Sequence, residues 1–218
     1  LAAYPASAQA GLISFRSTVV PNFELTLFDP PYGPDLDGVT LPGRARGYLD
    51  FEFELQDGAM PILTFRSVSG RFQGELEGGL TFTLLATGLD TGTATNVQTS
   101  GGELTNADLD FSLFFEMYPD IGPPLLVPDT SLPFSGNVSS LPFLAGTVFA
   151  GPTTPPTEPV PGSAFIPSPN GLIGIPNAVS VQNRTLTVVP EPGSFAVFGC
   201  GIIAAVAFGR RKKAASNG

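Results

Sequence analysis

Apolar and polar residues alternate with a period of two along most of the chain, a pattern that predicts β-strands. The clearest segment is 49–55, LDFEFEL, in which Leu and Phe occupy every odd position and acids every even one. Successive side chains of a strand point to opposite faces, so one face of this segment lies in a core and the other in water. A second segment, 106–117, follows Gly101 and Gly102, obeys the same rule and is ended by Pro119.

Glycines and one aspartate mark the expected turns. Asp57 and Gly58 tolerate the positive φ that tight hairpins require, and they predict a hairpin after residue 56. Three further strands are predicted, at about 60–68, 70–77 and 79–87. Their boundaries are Ser69 with Gly70, and Gly78 with Gly79. No window of about twelve residues before the C-terminal segment shows a helical stripe, so the expected fold is all-β, an antiparallel β-sandwich or jelly roll.

Proline interrupts the chain repeatedly between 119 and 176, at a density that central strands do not tolerate. Within this Pro/Gly-rich excursion the tripeptide LPF occurs at 132–134 and at 141–143, and we interpret the two copies as edge strands. Residues 152–161 are typical of an extended surface loop. A flexible spacer is the alternative interpretation for about half of the excursion.

Strand-like sequence returns at 179–181 and 185–189. We therefore expect residues 11–187 to form one domain, which is long enough for a real core. Upstream of it, Ala8 and Ala10 flank Gln9 in the small-x-small form of a signal-peptidase site. This pattern predicts that residues 1–10 are the end of a signal peptide that is cleaved after Ala10.

The C-terminal segment has three parts in a fixed order. The first part is Val189, Pro190, Glu191 and Pro192, and the last is Arg210, Arg211, Lys212 and Lys213. Between them, residues 193–209 carry no charge, and as a helix they span roughly 25 Å, enough for a slightly thinned bilayer. Each Lys or Arg costs about 2.5–3.5 kcal/mol at the bilayer centre, so the basic cluster is expected to stay cytoplasmic. The sequence predicts a transmembrane helix over 194–209, with the main body of the chain outside.

Together these parts resemble the PEP-CTERM sorting signal of bacterial exported proteins, over residues 188–213. The same signal is also called the ice-binding protein C-terminal domain. The resemblance implies processing near the Pro-Glu-Pro motif by an exosortase, an integral-membrane cysteine protease. It also implies a link to exopolysaccharide, because exosortase systems accompany its production. The chain departs from the family pattern in the tail 214–218, which follows the cations.

Charge and composition exclude several classes of function. The net charge is −9, and since four of the ten basic residues are in the C-terminal cluster, residues 1–209 carry six basic and nineteen acidic residues. So acidic a body repels nucleic acid, and we expect no nucleic-acid partner. The absence of histidine excludes Ser-His-Asp and Cys-His catalysis and His-containing zinc sites. The single cysteine, Cys200, lies in the apolar run, so the exported domain contains no disulfide.

Paired carboxylates remain as possible catalytic groups, because a glycosidase needs only two of them facing each other. The candidates are Glu52, Glu54, Glu75, Glu77, Asp108 and Asp110. Acids that alternate along a strand are also typical of its solvated face, so we assign no catalytic residue. A secreted carboxylate-dependent glycoside hydrolase is the alternative function.

Two further groups of residues suggest binding. Asp29, Asp35 and Asp37 crowd oxygen ligands into a Pro/Gly-rich loop and form a speculative calcium site; ordinary turn chemistry is the alternative, and no other cofactor is expected. A row of threonines at 91, 93 and 95 is similar to ice-binding arrays, but it is too small for a flat face of that kind.

The expected protein is therefore an exported bacterial cell-surface or extracellular-matrix protein whose molecular activity the sequence does not specify. Its expected partners are an exosortase-type protease, the membrane before processing, and exopolysaccharide. Before processing it is anchored in the inner membrane with its C-terminus in the cytoplasm; afterwards it is at the cell surface or outside the cell.

Overall fold

The computed structural model describes residues 10–28, 34–35, 37–120, 131–152, 160–168 and 171–190, with backbone only for 160–168 and 171–178. The nine strands are β1 (Ala10–Leu27), β2 (Thr40–Gln56), β3 (Ile62–Leu76), β4 (Leu80–Ser100), β5 (Glu103–Pro119), β6 (Leu132–Val138), β7 (Val148–Ala150), β8 (Val160–Ser168) and β9 (Gly171–Val188). Within these ranges no helix is both long enough and apolar enough to cross a membrane.

The strands form a single antiparallel sheet that closes on itself. Neighbours follow the order β1-β2-β3-β4-β5-β6-β7-β9, and β9 pairs back onto β1, for example through Thr26 and Ser180. Eight strands therefore form a closed barrel. Strand β8 is not one of them: among the described strands its only partner is β9. The predicted all-β antiparallel class is confirmed. The predicted sandwich or jelly roll is not confirmed. Those folds consist of two separate sheets with unpaired edge strands, whereas here β1 and β9 pair with each other and close the sheet.

Inward-facing phenylalanines form a cluster of contacting rings in the barrel interior. The odd positions of segment 49–55 are all buried, as predicted, and their acidic neighbours point outward. Phe143 extends into the same cluster from the loop between β6 and β7, with ring centroids 4.9 Å from Phe51, 5.0 Å from Phe15 and 5.1 Å from Phe149. The prediction of an edge strand at 141–143 is thus wrong: these residues form a loop whose phenylalanine is a core residue.

Glycine has two different roles in the strands. Gly78, Gly79, Gly101 and Gly102 have positive φ values between 63° and 98° and form the turns on either side of β4. The turn at Gly78 and Gly79 is the predicted strand boundary. Gly70 does not form a turn. It lies within continuous β3, where a Cβ would be 2.2 Å from the carbonyl oxygen of Tyr48 on β2. The predicted boundary at Ser69 and Gly70 is wrong because this glycine permits close strand packing.

The other predicted boundaries agree in part. The hairpin after residue 56 is present, but its connection runs from 57 to 61 and is longer than a tight turn. Asp57 is held there by hydrogen bonds from the Gly58 amide (3.0 Å) and the Thr99 hydroxyl (2.6 Å). The excursion 119–176 contains β6, β7 and β8. Residues 132–134 lie in β6, which is a strand as predicted but not an edge strand, because it pairs with β5 on one side and with β7 on the other. β9 is the predicted last strand, and it is longer than the sequence indicated.

Candidate functional site

The outer surface of β4, β5 and β6 carries polar side chains in three adjacent rungs, which we call the polar face. The rungs are Thr91–Ser112–Pro133, Thr93–Asp110–Ser135 and Thr95–Asp108–Asn137. These residues point outward because the intervening positions of β5, such as Leu109 and Phe111, are buried in the barrel. The strand register therefore places the threonine row beside two of the candidate carboxylates, a combination that sequence reasoning did not find.

A groove of about 280 Å³ lies on the polar face. Its polar lining consists of Thr91, Thr93, Asp110, Ser112 and Ser135, and Pro133 and Pro152 border it. Asp110 is exposed, and it has no hydrogen bond or ion pair within the described part of the chain. Its carboxylate and the neighbouring hydroxyls are therefore available to a ligand that offers hydroxyl donors and acceptors.

Asp108, one rung away, is committed to the protein itself. Its carboxylate accepts hydrogen bonds from Asn137 Nδ2 at 2.8 Å and from Asn96 Nδ2 at 2.5 Å. These two bonds, that from Asn137 foremost, lower the pKa of Asp108 below its ordinary value of 3.8. A general acid requires the opposite shift, so the geometry at Asp108 favours a structural carboxylate.

Two aromatic rings continue the polar face along β5. Phe114 is 37% exposed and Tyr118 is 38% exposed, and both share the outward side with Asp108 and Asp110. At about 3.3 Å per residue, the outward row from 108 to 118 is roughly 33 Å long. The Tyr118 hydroxyl donates to Glu116 Oε2 at 2.5 Å, and this bond raises the pKa of Tyr118 above 10.0. The row therefore combines flat apolar rings with hydrogen-bonding groups.

The basic residues of the barrel are unevenly distributed among its strands. β4, β5 and β6 contain no lysine or arginine, whereas their acids are Asp90, Glu103, Asp108, Asp110 and Glu116. Five arginines belong instead to β1, β2 and β3, at positions 16, 44, 46, 66 and 71. Arg16, for example, pairs with Asp50 at 2.7 Å and lies 3.8 Å from the Tyr48 ring centre. The polar face thus has one sign of charge, which disfavours anionic ligands.

The remaining candidate carboxylates divide into two groups. Glu52 accepts a hydrogen bond from Ser67 Oγ at 3.0 Å, and Glu54 forms an ion pair with Arg66, so both have partners on the outer surface. Glu75 and Glu77 line an open cleft of about 570 Å³ at the end of β3, together with Glu24 of β1. Sequence reasoning missed Glu24, which only the pairing of β1 with β2 and of β2 with β3 brings near the other two.

The speculative calcium site is only partly described. Asp35 and Asp37 lie in turns and are exposed, whereas Asp29 is outside the described residues. Within the ranges that the structure describes, no group of three or more His, Cys, Asp or Glu side chains is placed to hold a metal ion. The calcium site remains a prediction.

The first and the last paired residues of the barrel adjoin the predicted processing signals along the chain. β1 begins at Ala10, which pairs with Gln56, and the Val189 amide donates to the Thr18 carbonyl at 2.9 Å. Pro190 follows and is exposed. Ala8, Glu191, Pro192, the predicted helix 194–209 and the cluster Arg210, Arg211, Lys212 and Lys213 all lie outside the described residues.

Comparisons with known proteins identify no similar protein. No protein-family model, no curated protein and no solved structure matches the chain. The features that bear on function are therefore the polar face, the acidic cleft, and the first and last paired residues of the barrel beside the predicted processing signals.

Proposed function

We propose that the chain is an exported bacterial cell-surface or extracellular-matrix protein. It is sorted by its PEP-CTERM signal and an exosortase-type protease, and it binds exopolysaccharide through its polar face. The observation that carries the sorting proposal is the position of the barrel. Its first pairing is made by Ala10 and its last ladder bond by Val189, so the folded unit fills the interval between the two predicted processing signals.

The junction at Val189 has a physical consequence for processing. Proline at 190 and 192 lacks a backbone donor and favours extended geometry in the residue before it, so neither β9 nor a membrane helix extends through the motif. Residues 194–209 then form the transmembrane helix, with the basic cluster in the cytoplasm. The helix holds the barrel close to the external face of the inner membrane until a protease cuts the short connection between the two.

The polysaccharide proposal rests on the chemistry of the polar face. A sugar offers hydroxyl groups that donate to a carboxylate such as Asp110 and exchange hydrogen bonds with Thr93 and Ser135. Its apolar ring faces pack on exposed aromatic rings, here Phe114 and Tyr118. Because the face carries acids and no cation, neutral or amino-sugar polymers are the expected ligands and acidic polymers are not.

Mass spectrometry of the native exported protein tests the sorting proposal. The expected mature chain begins at Gly11 and ends close to the Pro190–Pro192 motif. A mature species that retains Arg210 to Lys213 contradicts processing, and one that retains residues before Ala10 contradicts the signal-peptide assignment.

Co-sedimentation with an insoluble neutral β-glucan, with chitosan and with an alginate gel tests the ligand. Asp110→Ala and Phe114→Ala are expected to weaken binding to the first two about tenfold each, which corresponds to about 1.4 kcal/mol. Asp50→Ala, on the outer surface of β2 and outside both the polar face and the acidic cleft, is the matched control and should bind like the parent chain. Loss of binding in EDTA supports the calcium site at Asp29, Asp35 and Asp37, and unchanged binding removes it.

A second candidate function, a carboxylate-dependent glycoside hydrolase, is favoured by one observation. The open cleft collects Glu24, Glu75 and Glu77, and two facing carboxylates are the minimum for such a reaction. Release of reducing ends from the same polysaccharides, abolished by Glu75→Gln or Glu77→Gln, supports this function. Binding without any hydrolysis supports the matrix protein instead.

A further inference from the structure

The first part of β1, residues 10–17, has a neighbouring strand on one side only. On that side it pairs with β2 in unbroken register. On the other side β9 pairs with β1 only along Val19–Leu27, and its last bond to β1 runs from the Val189 amide to the Thr18 carbonyl at 2.9 Å. Within the described part of the chain, no other backbone group bonds to this side of residues 10–17, which we call the free edge of β1.

The last bond between β9 and β1 shows which peptide groups face the free edge. Thr18 directs its carbonyl toward β9, and alternate residues of a strand direct their amide and carbonyl groups to the same side. The register with β2 has no shift along this part of β1, so Leu12, Ser14 and Arg16 direct theirs to the free edge. The residues between them bond to β2. The free edge therefore offers donors and acceptors at the spacing that a further antiparallel strand requires.

The free edge lacks the features that usually prevent further pairing. Such edges commonly carry a lysine, a proline, an inward-pointing charge or a β-bulge. Residues 10–17 contain no lysine, proline or acid, and their pairing with β2 contains no bulge. Their one charged side chain, Arg16, points outward and forms an ion pair with Asp50 at 2.7 Å. An added strand therefore meets neither an uncompensated charge nor a missing backbone donor.

Apolar side chains lie along the free edge and close to its start. Leu12 is 65% exposed, and Ile13 and Phe15 are only half-buried. Leu144, in the loop before β7, is 58% exposed. Its carbonyl accepts a hydrogen bond from the Thr147 amide, and the Thr147 carbonyl accepts one from the last residue of β9, so this turn lies at the place where β9 leaves β1. A strand on the free edge would remove apolar surface from water in addition to completing the ladder.

A second copy of the chain is the partner that matches this edge. Two copies related by a two-fold axis pair in antiparallel sense, and each offers the other the same residues. In the pairing centred on Ser14, Arg16 of each copy lies opposite Leu12 of the second copy, and Ile13 lies opposite Phe15. No acid faces an acid there, whereas residues 1–209 carry nineteen acids and only six basic residues, so other surfaces of two copies repel each other.

We propose that the chain forms a two-fold symmetric dimer in which the free edges of β1 pair as antiparallel strands and join the two barrels in one continuous sheet. Each free edge is used by the other copy, so the interface closes on itself and does not extend into a fibre. The dimer presents two polar faces, and a polymer that contacts both gains avidity. Dimerisation itself does not depend on polysaccharide binding, so the two proposals fail or succeed separately.

Sedimentation velocity of the full chain in non-ionic detergent tests the dimer, over about a hundredfold range of protein concentration. The parent chain is expected to show a monomer–dimer equilibrium. Leu12→Lys places a cation opposite Arg16 of the second copy and should weaken dimerisation about tenfold or more. Ile62→Lys makes the same change on β3, at a position 52% exposed and away from the free edge, and should dimerise like the parent.

A parent chain that stays monomeric throughout overturns the proposal. So does a dimer that is equally stable in Leu12→Lys, because the association then belongs to another surface, such as the predicted C-terminal helix.

Hydrogen exchange of single amides in the parent chain gives a test that needs no variant. The amides of Leu12, Ser14 and Arg16 are expected to exchange about tenfold or more slowly in concentrated than in dilute protein, because only the dimer protects them. The amides of Ile13 and Phe15, which bond to β2, should be protected at both concentrations. Fast exchange of Ser14 at both concentrations refutes strand pairing. Protection of Ser14 at both concentrations means that the chain covers its own edge, and it refutes the second copy.

Discussion

Substitution of Gly47 by alanine tests whether close approach of β2 and β3 limits the stability of the barrel. A Cβ at this position would lie 2.0 Å from the carbonyl oxygen of Arg71 and 2.6 Å from the Cα of Phe72. Both obstacles belong to the backbone of β3, so no side-chain rotation relieves the clash and the two strands must separate. Overpacking costs typically about 1–3 kcal/mol when side chains give way, and we expect about 3 kcal/mol here.

For a chain of this size, about 3 kcal/mol corresponds to a fall of roughly 6–12 °C in the unfolding midpoint. Urea denaturation followed by far-ultraviolet circular dichroism measures the free energy directly and suits a chain without tryptophan. The matched control is Gly88→Ala in β4, where no atom lies within 4 Å of the added Cβ. It should be neutral or stabilising by about 0.4–1 kcal/mol, because alanine restricts the unfolded chain. Equal stability of the two variants would refute the close-packing argument.

Two further predictions concern the core and the polar face. Phe143→Ala should destabilise the barrel by about 3–5 kcal/mol in urea titrations, since it removes a ring packed against four others. Leu144→Ala, at a position 58% exposed, is the control and should change stability by less than about 0.5 kcal/mol. Asn137→Ala should raise the pKa of Asp108 toward 3.8 in a carboxyl ¹³C titration. Because the folded-state pKa of Asp108 is depressed, its stabilising contribution is present above about pH 3.8 and is lost as pH falls through the lowered pKa. An Asp108 pKa that is unchanged in Asn137→Ala would contradict the assigned cause.

Local patterns in the sequence were sufficient for the strands and for several turns. Alternation of Phe and Leu with acids identifies which side of β2 and β5 is buried, because a strand has a fixed period of two. Paired glycines at 78–79 and 101–102 identify turns, because positive φ is accessible to them. Gly70 shows where this reasoning stops: the same residue type permits close strand packing, and only the neighbouring strand distinguishes the two roles.

Closure of the barrel and assembly of the polar face depended on the tertiary structure. Asn183 and Glu24, joined across the closing seam by a 2.6 Å hydrogen bond, are far apart along the chain, so no local pattern contains this pairing. The outward direction of Asp108 and Asp110 follows from alternation, but their position beside the threonine row depends on the register between β4 and β5.

The sequence by itself determined an acidic, all-β body framed by processing signals, because residue periodicity, charge and short motifs are local properties. Only the tertiary structure decided that the body is a closed barrel and that Arg184 faces its interior. Simple alternation from Val181 would place this arginine outside with Gln182, but β9 carries one extra residue, a β-bulge, between its pairings with Glu24 and Asn22, and this reverses the direction of the side chain. A bulge is defined by the pairing of two strands, and it therefore exists only once distant parts of the chain have met.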